Sequence, residues 1–578
     1  MRSNSKEISS NVSSVCHWRA LLSHPVLLVL LVGLIAMGGA LKADFYMDDY
    51  GFILNRSGDA PMSYRLMLGG VAIGSEAAEA REITVFQLLP TLMTSVTNAW
   101  FPMNSTAAHL WNLLIHLALS AVVFVMGKRF LAVVPLVASP AARHEAALTG
   151  ALLFACHPLG TEPVHYAKCH MVALVALFSF MATCAAAEFF AARGRRGGGR
   201  CLVAGGLCMI SYFPGTVLLG VNLLVLLLHK ITRQGISLGS LRLAFQTLRG
   251  RPRAMATLVF GVAVHSYPSY FFLTRFYQSI TSWDEYFPRH LATQGRVFWE
   301  YLQRMVIPTG LSSDHYQPWS TFGDPGTLLK FISFVLLIAA ASSLAFRRGS
   351  GARRGVGLLV LLSVIPLTIR LLYVSPEIMV EYRAYSALPW FCLLIGCGCS
   401  IFRENYLNLK RPWLRWVPAS AVIAVFTFLS LQRGLVWRSS RALAADALAQ
   451  YPLNNRPRTQ LQFYDFHAGR YAAVLDRHEE LLLSIEEIGH FNKENNGSVL
   501  VDGFRANTNL ISSFQLAIYA RAELEGRLKA LAYADNAIAL LNHQHPAWST
   551  AKPGQAKAPL SPLFEARTAV SQMDGPGL

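Results

Sequence analysis

The most prominent feature of the chain is a series of long apolar runs separated by short polar stretches that are rich in arginine. The runs begin near residues 25, 107, 145, 172, 201, 254, 328, 356, 386 and 414. Most approach the roughly 20 residues that a helix needs to cross a bilayer. Because the run 201–228 has basic residues at both ends, we expect two short helices there, broken near Pro214 and Gly215 and each too short for a full crossing. The pattern predicts an all-α, polytopic membrane bundle of about 11 spans.

Composition supports a membrane location and excludes an ordinary soluble protein, since 53% of the residues are hydrophobic and only 15% are charged. The net charge of +18 would suggest nucleic acid in a soluble chain. Here the arginines lie between apolar runs, as in cytoplasmic loops, so we expect contact with membrane lipid and no nucleic acid. An odd number of spans places the amino terminus in the cytoplasm and the carboxyl terminus in the periplasm or a lumen. Few lysines and many Arg, Ala and Gly residues favour a bacterial inner membrane.

The pattern also divides the chain into segments. Residues 1–24 form a polar cytoplasmic tail, and residues 25–431 form the membrane domain. Its first outer loop, 42–106, contains an apolar stretch at 83–101 that is expected to lie along the membrane surface or re-enter it. Residues 437–545 carry apolar residues at helical spacing with small residues between them, which predicts a TPR-like helical domain on the outer side. Residues 546–578, rich in Pro, Ala and Gly, are predicted to be disordered.

Candidate chemistry begins with Asp48 and Asp49, which follow the first span. Carboxylates are costly inside lipid, so a pair at a span exit suggests a site at the water interface, although such a pair also opens many solvated loops. The predicted topology places this pair on the same face as the stretches 157–170, 283–319 and 381–385. Carboxylates, an arginine and aromatics at a membrane surface suit transfer from a lipid-phosphate donor. A carboxylate would take the proton from an acceptor hydroxyl, and a guanidinium would stabilise the leaving phosphate. The chain has no Gly-rich phosphate loop, so no soluble nucleotide site is expected.

A metal site is the alternative interpretation of the stretch 157–170. Its possible ligands are His157, His165, His170 and Glu162. Two prolines interrupt regular helix between them, so the spacing matches no helix-borne metal motif. We therefore expect no metal, while the alternative stays open at this point.

Four segments carry a resemblance to a known family. They read HLWNLLIH at 109–116, ALLFACHP at 151–158 followed by Thr161 and Glu162, IPTGLSSDH at 307–315, and EYRAY at 381–385. In that order they resemble the transmembrane and TPR-repeat-containing O-mannosyltransferases and their bacterial relatives. The resemblance extends from Asp48 to about Leu461.

This resemblance implies an inverting glycosyltransferase of the GT-C type. Its donor would be a polyprenyl-phosphate sugar such as mannose, its acceptor a hydroxyl on a protein Ser or Thr or on a glycan, and no cofactor would be needed. By the resemblance, Asp48 is the base, Asp49 is its orienting carboxylate, and Arg383, held by Glu381, binds the donor phosphate. The residues that would line the site are His157, Glu162, His109 and Tyr385.

The chain departs from the family pattern at several positions where the family has polar residues. These are Gly160, Cys169, Met171, Tyr212 and Phe213. Two other classes of function therefore compete with the enzyme. One is a catalytically inactive membrane scaffold that binds partners through the TPR-like tail. The other is a transporter, a class that often shows internal repeats and charged residues in mid-span, which the long spans here lack.

Overall fold

The structure is a computed structural model that describes residues 24–47, 49, 64–68, 71–74, 81–84, 87–102, 104–191, 195–234, 286–347, 349–372, 377–406, 412–494, 500–544 and 561–573. These residues are predominantly helical, as the apolar pattern predicts. The chain divides into two compact units. The first comprises the described residues of Met1–Leu311, Ser320–Val374 and Glu381–Arg438, and the second comprises those of Ser312–Trp319, Ser375–Val380 and Ser439–Leu578.

The first unit is built from thirteen helices within the described residues. They are α1 Pro25–Met37, α2 Leu88–Trp100, α3 Ser105–Val133, α4 Pro140–Cys156, α5 Thr161–His165, α6 His170–Phe190, α7 Arg195–Met209, α8 Phe213–Gln234, α9 Tyr286–Val306, α10 Pro325–Phe346, α11 Gly351–Thr368, α12 Leu388–Tyr406 and α13 Val417–Val436. Short 3-10 helices add Gly38–Lys42, Pro158–Gly160, Ala167–Cys169, Ile369–Leu372, Glu381–Ser386 and Pro412–Trp416.

Six helical segments in the described part of the chain are long and apolar enough to cross a membrane. They are Pro25–Lys42, Ser105–Val133, Ala167–Phe190, Pro325–Phe346, Gly351–Thr368 and Leu414–Val436. They coincide with six of the predicted spans and indicate a membrane protein. The predicted span at 254–273 lies outside the described residues, so the total of about 11 spans stays a prediction.

The apolar run at 201–228 is broken close to the predicted position near Pro214 and Gly215. Helix α7 ends at Met209 and α8 begins at Phe213, so Pro214 falls in the first turn of α8. Proline is tolerated there because the first-turn N–H groups have no partner within the helix. Helix α7 has 15 residues, and the apolar part of α8 is confined to Val217–Thr232. Neither piece is long and apolar enough to be a candidate span, as predicted.

Within the described residues, a small sheet between α1 and α2 departs from the all-α prediction. Strand β1, Tyr64–Leu68, pairs antiparallel with β2, Val71–Gly74, and parallel with β3, Arg81–Thr84, giving the order β2-β1-β3. In the sequence two glycines separate β1 from β2, and this residue type favours a two-residue hairpin.

Glycine allows the close contact between α4 and α12 in the first unit. A Cβ atom added to Gly396 would lie 2.2 Å from the carbonyl oxygen of Ala146, and one added to Gly150 would lie 2.9 Å from that of Cys392. No larger side chain fits at either place. This is the packing by small residues that membrane helices commonly use.

The second unit is a stack of helices, with two short segments from earlier in the chain. Its helices are α14 Ser440–Gln450, α15 Asn455–His467, α16 Tyr471–Glu494, α17 Leu500–Glu525, α18 Arg527–Gln544 and α19 Ser561–Gln572. Each helix packs against the next, and α15 and α17 also pack against the second helix after them. The tail predicted to be disordered contains α19, whose Leu563, Ala566 and Val570 are buried in the apolar core of this unit. This part of the tail is ordered because three apolar residues at helical spacing are buried in the core.

Ion pairs attach the two earlier segments to the helices of the second unit. Arg456 lies 3.3 Å from a carboxylate oxygen of Asp314 and 3.5 Å from one of Glu377. His315 hydrogen-bonds the Tyr451 hydroxyl at 2.8 Å. The predicted domain 437–545 was therefore incomplete, because residues 312–319 and 377–380 belong to the same compact unit.

Candidate active site

The acidic turn, residues 44–49, directly follows the Gly38–Lys42 helix. The Asp49 N–H donates to the Tyr46 carbonyl (2.9 Å), and the Tyr46 N–H donates to Asp49 Oδ2 (3.0 Å), so the turn is closed from both sides. Between them Met47 has a φ of 42°, the one positive φ at a described residue other than glycine. This conformation is uncommon for a bulky side chain and persists only where its surroundings enforce it.

Asp49 uses both of its carboxylate oxygens within the protein. While Oδ2 accepts from Tyr46, Oδ1 accepts from the backbone N–H of Lys168 at 2.7 Å. The side chain is fully buried. Burial raises the pKa of Asp49 to about 7, although the hydrogen bonds from Tyr46 and Lys168 act in the opposite direction. Asp49 thus shapes the turn, whereas Asp48, the predicted base, lies outside the described residues.

Aromatic rings pack around the acidic turn. The Tyr46 ring makes edge contacts with Tyr166 and Trp437, each with 5.8 Å between centroids, and the Phe45 ring lies 6.3 Å from that of His109. His109, a predicted site-lining residue, is fully buried here. Trp437 follows α13 directly, and its carbonyl accepts the backbone N–H of Asp44 at 3.3 Å. Trp437 was not among the predicted site residues, because the predicted carboxyl-terminal domain began at this position.

The turn that carries Arg383 is the 3-10 helix Glu381–Ser386. Its Tyr382 N–H donates to Glu162 Oε2 at 2.7 Å, and Glu162 is buried. Glu381 is also buried, and Arg383 is half-buried. Glu162, predicted to line the site, therefore touches the backbone next to the predicted phosphate-binding arginine.

Tyr385 anchors the other end of this turn in the membrane bundle. Its hydroxyl lies 2.7 Å from Nδ1 of His116, and Nε2 of His116 lies 3.0 Å from the carbonyl oxygen of Ala155. A carbonyl only accepts, so Nε2 carries the proton and the Tyr385 hydroxyl donates to Nδ1. Tyr385 is fully buried, which makes it a support for the turn.

One stretch of chain holds both turns. The acidic turn is bound through Lys168 and the Arg383 turn through Glu162, six positions away. Helix α5 covers part of the interval, which limits the distance between the two Cα atoms to roughly 15 Å. The structure thereby brings together two of the regions that the sequence analysis assigned to one site.

His157 has a structural place in the same stretch. Its Nε2 lies 3.0 Å from the Met305 carbonyl at the end of α9, and its Nδ1 accepts the backbone N–H of Leu159 at 3.2 Å. Both ring nitrogens are thus engaged by backbone groups, and the side chain is buried. His157 therefore joins α9 to this stretch.

The three histidines of the stretch do not form the metal site that was left open. Besides His157, His165 directs Nδ1 to the Thr161 carbonyl (2.9 Å) and His170 directs Nδ1 to the Ala167 carbonyl (2.7 Å). Each ring is thus oriented by a different backbone group. In the part of the chain that the structure describes, no group of three or more His, Cys, Asp or Glu residues is placed to hold a metal ion.

Three of the positions that depart from the family pattern, Gly160, Cys169 and Met171, are buried or closely packed. A Cβ added to Gly160 would lie 3.1 Å from Met37, so a histidine there would displace its neighbours. Met171 belongs to an apolar cluster with Phe45, Ala108 and Ala167. Cys169 is buried as well. Met171 therefore adds an apolar contact to Phe45 of the acidic turn.

No family model and no curated protein matches this sequence. The resemblance to the O-mannosyltransferases therefore rests on the four sequence segments alone.

Proposed function

We propose that the chain is an integral membrane glycosyltransferase that transfers a sugar, such as mannose, from a polyprenyl-phosphate donor to a hydroxyl acceptor on the periplasmic side of a bacterial inner membrane. The observation that carries this proposal is the stretch 157–170, which binds Asp49 of the acidic turn and the backbone beside Arg383. A carboxylate and a guanidinium close to a membrane surface are the groups that transfer from a lipid-linked sugar phosphate requires.

The proposed reaction is a single displacement. The acceptor oxygen forms a bond to the anomeric carbon as the bond from that carbon to the phosphate oxygen breaks, and polyprenyl phosphate leaves with the electron pair. Asp48 takes the hydroxyl proton, and Arg383 stabilises the charge on the leaving phosphate. Because attack and departure occur on opposite sides of the carbon, the configuration inverts. Asp49 keeps the turn in place and does not contact the reacting atoms.

The second unit would serve the acceptor. Helices that pack against both the next helix and the one after it are typical of repeat stacks, which supports the TPR-like assignment. Such stacks bind extended polypeptides on their concave surface. An acceptor protein is therefore the expected partner of this unit.

The role of Arg383 provides the test of this function. In vesicles containing polyprenyl-phosphate mannose, Arg383→Ala should lower the transfer rate by about 10²-fold. It removes the hydrogen-bond donor that stabilises the negative charge on the leaving phosphate. Arg383→Lys should restore only part of the rate. Lysine keeps the positive charge but lacks the planar guanidinium, which binds a phosphate through two hydrogen bonds. Equal rates in the wild type and both variants would exclude this role for Arg383.

The inactive scaffold remains the second candidate because of one observation, the apolar packing at Gly160, Cys169 and Met171. It predicts that no polyprenyl-phosphate sugar is consumed by the full-length protein. Transfer of label by the wild type would eliminate it.

A further inference from the structure

Helix α2, within the first outer loop, has its polarity reversed relative to a helix that faces water. Its exposed large apolar side chains are Leu88 (38%), Leu92 (57%), Val96 (45%) and Trp100 (77%). A spacing of four residues places them on one stripe. Its buried face contains three threonines, Thr91, Thr94 and Thr97. A helix at a water surface has the opposite arrangement, with apolar residues inward and polar residues outward.

Hydrogen bonds on the threonine face fix the rotation of α2. The Trp111 indole N–H donates to Thr97 Oγ1 at 2.8 Å, and Thr94 Oγ1 lies 3.5 Å from Nε2 of His170. At the start of the helix, the Leu89 N–H donates to the Ile210 carbonyl at 3.0 Å. Rotating α2 to bury the leucines would break these hydrogen bonds. The bonds therefore keep the apolar stripe on the exposed side of the helix.

Lipid is the occupant that this stripe fits. The helix carries no charged residue, and it packs against α3 and α6, which contain or lie in candidate membrane spans. Next to Trp111, α3 itself exposes Leu110 and Leu114. Trp100 and Phe101, both exposed, end the helix with the aromatic residues that favour the boundary between headgroups and acyl chains.

The length of α2 determines how it would meet the bilayer. Thirteen residues span about 20 Å, too short for the roughly 30 Å of a hydrocarbon core. We propose that α2 lies in the membrane interface, with the stripe Leu88, Leu92, Val96 and Trp100 inserted into lipid and the threonine face against the protein. The outer loop is thereby anchored in the bilayer. This inference requires a membrane protein but does not depend on the proposed glycosyltransferase activity.

The wild-type protein in lipid nanodiscs provides the first test. A phospholipid with a diazirine near its glycerol backbone is photolysed, and the adducts are located by peptide mass spectrometry. We expect adducts at Leu92 and Val96 and none at Thr94 or Thr97. Absence of adducts from residues 88–101, with adducts present on the spans, would overturn the proposal.

Spin labels provide a second test that separates lipid from water and from protein. In a background without the other accessible cysteines, Leu→Cys variants place the label at Leu92, at Leu336 in α10 (62% exposed) or at Leu528 in α18 (80% exposed). We expect Leu92 to resemble Leu336 rather than Leu528, with frequent collisions with oxygen and weak broadening by a water-soluble nickel complex. Nickel broadening equal to that at Leu528 would mean that the stripe faces water. Shielding from both reagents would mean that protein covers it, and either result would overturn the proposal.

Discussion

Removal of the Glu162 carboxylate should release the turn that carries Arg383. Glu162 Oε2 accepts the Tyr382 N–H at 2.7 Å in a buried setting, and hydrogen bonds to charged groups contribute roughly 1.5–3 kcal/mol. A loss of about 2 kcal/mol raises the open fraction of the turn about 30-fold. Glu162→Gln keeps one acceptor oxygen, so we expect the hydrogen bond to weaken by about 1 kcal/mol. The open fraction of the turn should then rise about fivefold.

Hydrogen exchange in nanodiscs measures this opening directly. The peptide containing residues 381–386 should exchange about 30-fold faster in Glu162→Ala and about fivefold faster in Glu162→Gln, because exchange follows local opening. Glu525→Ala is the matched control, since Glu525 pairs with Arg521 four residues earlier on the surface of α17. Unchanged exchange at Tyr382 in Glu162→Ala would show that the carboxylate does not hold the turn.

Two further predictions concern a buried acid and an ion-pair cluster. The pKa of Asp49 is about 7 in the folded protein and about 4 when unfolded, so the folded state retains a proton that the unfolded state has lost. Its contribution to stability is complete below pH 4 and is lost as the pH rises to 7, by at most about 4 kcal/mol. The melting temperature of the wild type, measured relative to Asp49→Asn in nanodiscs, should therefore fall over this range, and a flat difference would contradict the reasoning. Arg456→Ala leaves Asp314 and Glu377 without this shared cation, so exchange of residues 312–319 and 377–380 should rise several-fold, with Arg456→Lys intermediate. Faster exchange in only one segment would show that Arg456 does not hold both.

Elements that depend on local patterns were predictable from the sequence. Long apolar runs predicted the candidate spans because lipid demands apolar side chains and internally bonded backbone. The apolar stretch at 83–101, predicted to lie along or re-enter the membrane, contains α2, although its first two residues belong to β3. The spacing of Leu563, Ala566 and Val570 was present in the sequence as well, but the Pro, Ala and Gly content around it led to a prediction of disorder.

Features that depend on distant backbone groups were not predictable. Asp49 and Glu162 bind the N–H groups of Lys168 and Tyr382, and a backbone donor is the same at every residue except proline. No sequence pattern identifies such a partner. Residues 312–319 join the carboxyl-terminal helices through a long-range ion pair between Asp314 and Arg456. The residues around Arg456 in the sequence do not indicate this partner.

The site residues had mixed outcomes for the same reason. The pattern placed Asp49, Glu162 and Arg383 in one region, and the contacts with the stretch 157–170 are consistent with that placement. The histidine pattern suggested ligands, yet His157 is used by backbone groups on both nitrogens. Residue type indicates which chemistry a side chain is capable of, whereas its neighbours determine whether that capacity is already used.

The most direct measurement of the central claim is sugar transfer by Asp48→Asn. The full-length protein is placed in vesicles with labelled polyprenyl-phosphate mannose and a periplasmic extract as the acceptor source, and Asp476→Asn, an exposed site on α16, is the control. The account predicts label in protein for the wild type and for Asp476→Asn, and a rate lower by about 10²-fold or more for Asp48→Asn. Equal labelling by Asp48→Asn and the wild type would contradict it.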